Sequence, residues 1–346
     1  MGNCATTNSK FDPTIAITLS DFETKHPIGR GGFGRVYKVY HKKSGQLFAM
    51  KEMRKDLVVS KRSVGSIMNE RRLLGILKHP FIVNLHYAFQ NLENLYLVID
   101  LMAGGDFRYF LVQQPDIKEN GIKFLAGCIL TGLEYLHLNN IVHRDIKPEN
   151  LVFDSFGYVH ITDFGIARMA NGDNAATTSG TPGYMAPEVL CSQNHGVGAD
   201  YFALGVILYE CITHCRPYVG KNRKEIRDAV LNKQVQLKID DNSEWTDELI
   251  DLVNRLIQRK PENRLGFYGP GEVKSHKFFG GFDWEMLYNK EIVSPFKIYE
   301  KNNFDYDHVM KRWDPVKERI TAHNSQKLFA GYLYDCTLFK MQNPGK

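Results

Sequence analysis

The run His143-Arg144-Asp145-Ile146-Lys147-Pro148-Glu149-Asn150 decides the fold of this 346-residue chain. Five of its residues (His, Arg, Asp, Lys, Asn) stand at offsets that average amino-acid usage produces roughly once in a few million start positions. Their chemistry is coherent. Asp145 suits a base that orients a hydroxyl, Lys147 brings positive charge to a phosphoryl group, and Asn150 offers an oxygen to a hard cation. Asp163-Phe164-Gly165 follows, just beyond the strand-like stretch YVHIT. A carboxylate at a strand end, followed by glycine, is well placed for Mg²⁺. Ala186-Pro187-Glu188 closes the loop that Asp163 opens. A plain polar turn between helix and strand explains none of these offsets.

Upstream, Gly29-Arg30-Gly31-Gly32-Phe33-Gly34-Arg35-Val36 fits GxGxxGxV. Such glycines let a hairpin approach phosphates and point backbone N–H groups at them. A dinucleotide-binding turn would open into a helix. Here the alternating RVYKVYH follows, so a strand is expected and that reading fails. Lys51 lies in the strand-like FAMKEM. At an inner strand position its charge needs an anionic partner, for which Glu70 is the candidate.

Composition sets the frame. Hydrophobic residues make up 43% and charged residues 24%, near globular averages. No apolar run is long enough for a spanning helix, and the first thirty residues lack the pattern of a secretory signal. Six cysteines show no CxxC pair, so mostly buried, reduced thiols of an intracellular protein are expected. The net charge of +5 is spread along the chain without a basic cluster, which argues against nucleic-acid binding. Strand patterns (RVYKVYH, QLFAMKEM, NLYLVID) fill the region up to about residue 101. Beyond Gly104-Gly105 the chain turns helical. Ile122, Leu125, Ile129, Leu133 and Leu136 mark one amphipathic helix, and others are expected near 200–213, 223–232 and 246–258.

These motifs, in this order, resemble the eukaryotic protein kinases. HRDIK and Gly180-Thr181-Pro182 resemble the serine/threonine branch. The segments HKFFGGFDWEMLY, SPF, NFDYD and FAGYLYD resemble the AGC group, relatives of the cyclic-nucleotide-dependent kinases. VIDLMAGGDFRYFL is similar to the YANK-type offshoot of that group. The resemblance implies an α+β, bilobal fold: an N-terminal arm over 1–21, a catalytic domain over 22–279 (lobes 22–101 and 102–279) and a tail over 280–346. It implies transfer of the ATP γ-phosphoryl group to protein Ser or Thr with Mg²⁺. A pseudokinase-like allosteric or scaffolding module is the alternative, and retention of Lys51, Asp145, Asn150 and Asp163 speaks against it.

By the same resemblance, Asp145, Lys147, Asn150 and Lys51 are catalytic, and Asn150 and Asp163 hold the metal. The nucleotide site comprises the loop Ile28–Val36 (Ile28, Gly29, Arg30, Gly31, Gly32, Phe33, Gly34, Arg35, Val36) with Ala49, Lys51 and Val152. Glu70 pairs with Lys51, Ile99 is the gatekeeper, and Asp100 and Met102 meet adenine through their backbones. Asp106 reaches the ribose or, with Glu149 and Glu210, receives basic residues that precede the acceptor. Leu74, Leu85, His143 and Phe164 stack into a column on Asp200, and Glu188 pairs with Arg264. Thr177 is the expected loop phosphosite of an upstream kinase, its phosphate meeting Arg144 and Arg168.

The chain departs from the family in places. Asp200-Tyr201-Phe202 stands where the family has DxW. Leu333 replaces the tail's usual phosphorylated Ser or Thr, although Phe329 and Tyr332 can still dock. Ser66 replaces a histidine that couples the loop phosphate to the regulatory helix. MGNCAT at the start fits Gly2 myristoylation, with Cys4 as the second acylation site, hence attachment of a cytoplasmic monomer to the inner face of a membrane.

Overall fold

A computed structural model describes residues 17–170, 179–238, 244–298, 309–310 and 326–336. Alternating apolar and polar residues carry the first lobe into an antiparallel sheet of β1 (Phe22–Arg30), β2 (Arg35–His41), β3 (Gln46–Arg54), β4 (Leu85–Gln90) and β5 (Asn94–Ile99). Val36 pairs with Lys51, and Ala49 with Ile99. Cross-strand partners share a face, so these four side chains line the side of the sheet that closes the interlobe cleft. The opposite face buries Phe22, Phe48, Tyr87, Phe89 and Tyr96 in its own aromatic cluster. Two helices, α1 (Lys55–Ser60) and α2 (Val64–Ile76), interrupt the strands.

The second lobe begins at α3 (Phe107–Gln113), whose N-terminus is capped by the Asp106 carboxylate accepting from Tyr109 N. α4 (Glu119–Leu138) and α6 (Gly198–Thr213) are buried along most of their length. α4 packs against two ribbons: β6 (Ile141–Val142) with β9 (Arg168–Met169), and β7 (Leu151–Phe153) with β8 (Val159–Ile161). α5 (Pro187–Leu190), α7 (Arg223–Asn232), α8 (Asp247–Leu256), α9 (Pro270–Lys274) and α10 (Trp284–Tyr288) complete the lobe. One apolar cluster runs from Leu73 and Leu85 in the first lobe to Leu256 in the second. The expected strands and the helices at 200–213 and 223–232 are therefore present, with small differences at their ends. Of the thiols, Cys128 and Cys211 are buried, whereas Cys191 and Cys215 are exposed. The expectation of mostly buried thiols fails there because both exposed cysteines lie just outside helices, at the ends of α5 and α6.

The tail returns to the first lobe in a way that periodicity does not show. β10 (Tyr334–Asp335) adds antiparallel to β4, with Tyr334 opposite Ala88. Phe329 and Tyr332 are fully buried. Arg71 of α2 donates through Nε to the Tyr332 carbonyl (2.9 Å) and through Nη2 to that of Leu333. Lys55 donates to the Asn91 carbonyl (2.6 Å) and to Gln326 Oε1 (2.8 Å), and its ammonium lies 5.6 Å from the Phe329 ring centre. Docking is thus made by aromatic burial and backbone carbonyls, without need of a phosphate at Leu333. Phe329→Ala is expected to cost about 3 kcal/mol of stability by opening a cavity under the sheet. Urea denaturation measures it, and a change below about 0.5 kcal/mol would mean that the segment does not hold the lobe.

Candidate active site

Sheet register aims Lys51 into the cleft, and α2 brings Glu70 to meet it. Lys51 Nζ donates to both Glu70 oxygens, at 2.8 and 3.1 Å, and the Glu70 side chain is 5% exposed. Burial opposes the lysine charge, but Glu70 and Asp163 outweigh it and hold its pKa above the ordinary value. Asp163 shows the converse. Although the residue is exposed, the protein packed around its carboxyl opposes ionisation, yet the charge of Lys51 and the N–H of Gly165 keep it below the usual range, with help from His143 and Lys147. Asp163 is therefore an ionised carboxylate lying between the fields of two lysines.

Asp145 sits at the centre of a short-range network. Its Oδ2 accepts from Lys147 Nζ (2.6 Å) and Asn150 Nδ2 (3.1 Å). Its Oδ1 accepts from the Thr181 backbone N–H (3.1 Å) and hydroxyl (3.0 Å), and Lys147 also donates to Thr181 Oγ1 (2.8 Å). In the sequence Thr181 is only a branch marker; the structure makes it a partner of both Asp145 and Lys147. Asn150 also donates Nδ2 to the Asp145 carbonyl (2.8 Å), which leaves its amide oxygen as the donor for a cation. Among the described residues no three His, Cys, Asp or Glu side chains form a metal cage. A cation held by one carboxylate, one amide and substrate phosphates needs none.

The site rests on Asp200. This buried carboxylate accepts the backbone N–H groups of His143 (2.9 Å) and Arg144 (2.8 Å). His137 of α4, not foreseen from the sequence, lies 2.9 Å from the same carboxylate through Nε2 and 3.0 Å from the Tyr201 hydroxyl through Nδ1. Arg144 and Asp163 adopt left-handed backbone at φ 68° and 65°. For non-glycine residues this costs about 1–3 kcal/mol each and persists only where surrounding contacts enforce it. For Arg144 the enforcing contact is Asp200. Leu74, Leu85, His143 and Phe164 are all buried, and the His143 and Phe164 rings meet edge-on at 5.1 Å.

At the mouth of the cleft, Gly34 has a structural reason: a Cβ there would stand 1.8 Å from the Glu52 carbonyl oxygen. Gly104 has another, since its Cβ would stand 2.4 Å from that of Phe153. This closeness lets Gly104 N bond the Phe153 carbonyl (2.9 Å) and Phe153 N the Gly105 carbonyl (2.9 Å), tying the segment after β5 to β7. The Asp100 carboxylate is occupied by His86 Nε2 (2.7 Å) and Asn84 (2.8 and 2.9 Å), and its backbone N–H donates to the Asn84 carbonyl (3.1 Å), so its backbone carbonyl is the group left for a ligand.

Residues 22–279 match the family model described as the protein kinase domain. The chain belongs to the protein kinase family. It is 38% identical over 302 residues to Protein kinase 2 of Dictyostelium discoideum, covering 87% of this chain and 61% of that one. It is 39% identical over 281 residues to the serine/threonine-protein kinase Sgk1 of Gallus gallus, covering 80% and 64%. It is 32% identical over 348 residues to the ribosomal protein S6 kinase beta of Caenorhabditis elegans, covering 96% and 62%. The chain thus spans a little over three fifths of the length of these relatives. They place it with the serine/threonine kinases of the AGC group.

The kinase's departures have local explanations. Phe202, where the family has tryptophan, lies 5.0 Å from the Arg264 guanidinium, so an aromatic face is kept against that buried cation. Where Ser66 removes a histidine, Asn69 one turn later donates Nδ2 to the Ala167 carbonyl (2.9 Å) and links α2 to the segment after Asp163. Burial and the charge of Arg168 push the Arg144 guanidinium down to about 10. Thr177, Gly2 and Cys4 lie outside the described residues.

The acids expected to receive a substrate's basic residues are already engaged. Arg108 of α3 donates Nε to Glu149 Oε1 (3.0 Å) and Nη1 and Nη2 to Glu210 (2.9 and 3.2 Å). Asp106 spends one oxygen as the cap of α3 (2.8 Å). The sequence carried no signal for this, because Arg108 is 41 and 102 residues from its partners.

Proposed function

We propose that this chain is an ATP- and Mg²⁺-dependent protein kinase that phosphorylates serine or threonine in proteins. The observation that carries the proposal is the Lys51–Glu70 ion pair together with the Asp145 carboxylate held by Lys147, Asn150 and Thr181. Bound ATP supplies the phosphoryl group, and Mg²⁺ neutralises its phosphate charge. Lys51 holds the phosphates near the leaving side, and the loop glycines 29, 31, 32 and 34 line their backbone N–H groups along them. Ile28, Val36, Ala49 and Val152 flank the adenine, the backbones of Asp100 and Met102 bond its edge, and Asp106 reaches the ribose. Asp163 and Asn150 hold the cation. Asp145 orients the attacking hydroxyl and accepts its proton, while Lys147 stabilises charge on the transferring group. A scaffolding pseudokinase is not favoured, since each of these groups is present and in contact with its partner.

The test is a phosphotransfer assay with purified protein, labelled ATP and a degenerate Ser/Thr/Tyr peptide library. Label on Ser and Thr, abolished by a Mg²⁺ chelator, is expected; label on neither, with Mg²⁺ present, refutes the activity. Acylation of Gly2 and Cys4, and phosphorylation of Thr177 by an upstream kinase, complete the proposal, for a monomer held at the cytoplasmic face of a membrane. Mass spectrometry of protein from eukaryotic cells reads all three, and unmodified residues overturn that part. No helix among the described residues is long and apolar enough to cross a membrane.

A further inference from the structure

Beside the Asp145 centre lies a second charged cluster that phosphoryl transfer does not use. Glu149 follows Lys147 by two residues, and Tyr184 follows Thr181 by three, so the cluster borders the place where a peptide must present its hydroxyl. Its core is the Arg108 guanidinium, which bonds Glu149 on one edge and both oxygens of Glu210 on another. Tyr184 closes the group: its hydroxyl accepts from Arg108 Nη2 and donates to Glu210 Oε2 (2.6 Å). Arg216 lies 5.9 Å from the Tyr184 ring centre. Burial opposes the charge of Arg108, but Glu210, Tyr184 and Glu149 hold its pKa above that of free arginine. Both carboxylates are thus bonded by one guanidinium, that of Arg108, before any peptide arrives. A basic side chain entering here would have to displace Arg108 and leave that cation, 30% exposed, without its partners.

We propose that Arg108 fills this acidic subsite from inside the chain, so that the peptide position facing it takes an uncharged or acidic side chain rather than a basic one. This rests on the kinase reading and reverses the basic preference that the family resemblance implies. Specificity arises here by exclusion: a like charge is kept out and no new contact is needed. Arg108→Ala frees Glu149 and Glu210, and the subsite becomes an anionic receptor for arginine.

The experiment uses fluorescent serine peptides carrying Arg, Ala or Glu at each of the five positions before the acceptor. Binding is read by anisotropy, so the result does not depend on turnover. The full chain is expected to bind Arg peptides no more tightly than Ala peptides at every position facing the cluster. Arg108→Ala should gain about fivefold for Arg at one of them, as for a partly exposed ion pair. Arg108→Gln, which keeps hydrogen-bond donors without the charge, serves if the alanine variant melts early. A full chain that prefers Arg by about fivefold at the positions two or three residues before serine overturns the proposal, as does a variant with no gain. Phosphorylation of the same peptides is scored separately. Absence of any transfer refutes the kinase reading and leaves the binding result for Arg108 intact.

Discussion

Asp145→Asn and Asp163→Ala are each expected to lower kcat at least about a hundredfold while the protein remains folded. Asparagine at 145 keeps the shape and an oxygen for Thr181, which donates from both its N–H and its hydroxyl. It removes the negative charge that, in the proposed reaction, would orient a hydroxyl and accept its proton, and it leaves the Lys147 ammonium at 2.6 Å without this counter-ion. Alanine at 163 removes the carboxylate that the fields of Lys51 and Lys147 keep ionised. It also relieves no packing, since Phe164 rather than Asp163 fills the core. Steady-state kinetics beside a thermal melt decides the matter. Turnover within about threefold of wild type in either variant, with folding intact, would remove these residues from the mechanism.

Arg264→Ala is expected to destabilise the second lobe by about 3–5 kcal/mol. Arg264 is fully buried and meets Glu188 through two parallel bonds of 2.6 and 2.9 Å. It also donates to the carbonyls of Gln258 (2.9 Å), Gly198 (2.9 Å) and Arg259 (3.2 Å). Truncation strands a buried carboxylate and three carbonyls, which is costlier than the pair itself is favourable. Adding Glu188→Gln to the variant should recover part of the loss, because the unpaired charge is then gone. Urea midpoints for the single and double variants measure both effects. A loss below about 1 kcal/mol for Arg264→Ala would mean that water reaches Glu188 and that the ion pair is not structural.

The two variants separate what each part of the protein demands. In the proposed reaction Asp145 and Asp163 would belong to chemistry that tolerates little variation, because a base, a cation ligand and a counter-charge would have to stand at fixed offsets on either side of the β7–β8 ribbon. Such offsets survive in one dimension, so Asp145, Lys147, Asn150 and Asp163 were readable before any fold was known. The strands were readable for a similar reason. Alternation in RVYKVYH and QLFAMKEM reports which side of the sheet each residue takes, and that placed Lys51 on an inner face beside Val36 and Ala49. The family resemblance then supplied long-range pairs that periodicity cannot, Lys51 with Glu70 and Glu188 with Arg264 among them.

Other features were decided only when the chain closed on itself. His137 bonding both Asp200 and Tyr201 depends on how α4 and α6 pack, and a histidine near a helix end carries no mark of that role. Tyr334 becomes a strand residue because the edge of β4 is open to it, although its own segment shows no alternation beyond a few residues. Arg108 is the sharpest case. The sequence assigns it no role, and the resemblance implies that Glu149 and Glu210 receive a substrate's basic residues. The tertiary fold instead brings α3, the loop after Asp145 and α6 within bonding distance. Chemistry that acts through neighbours in sequence is written in the sequence. Electrostatic partnership across 41 and 102 residues is a property of the packed surface, set by which charges the fold leaves facing one another.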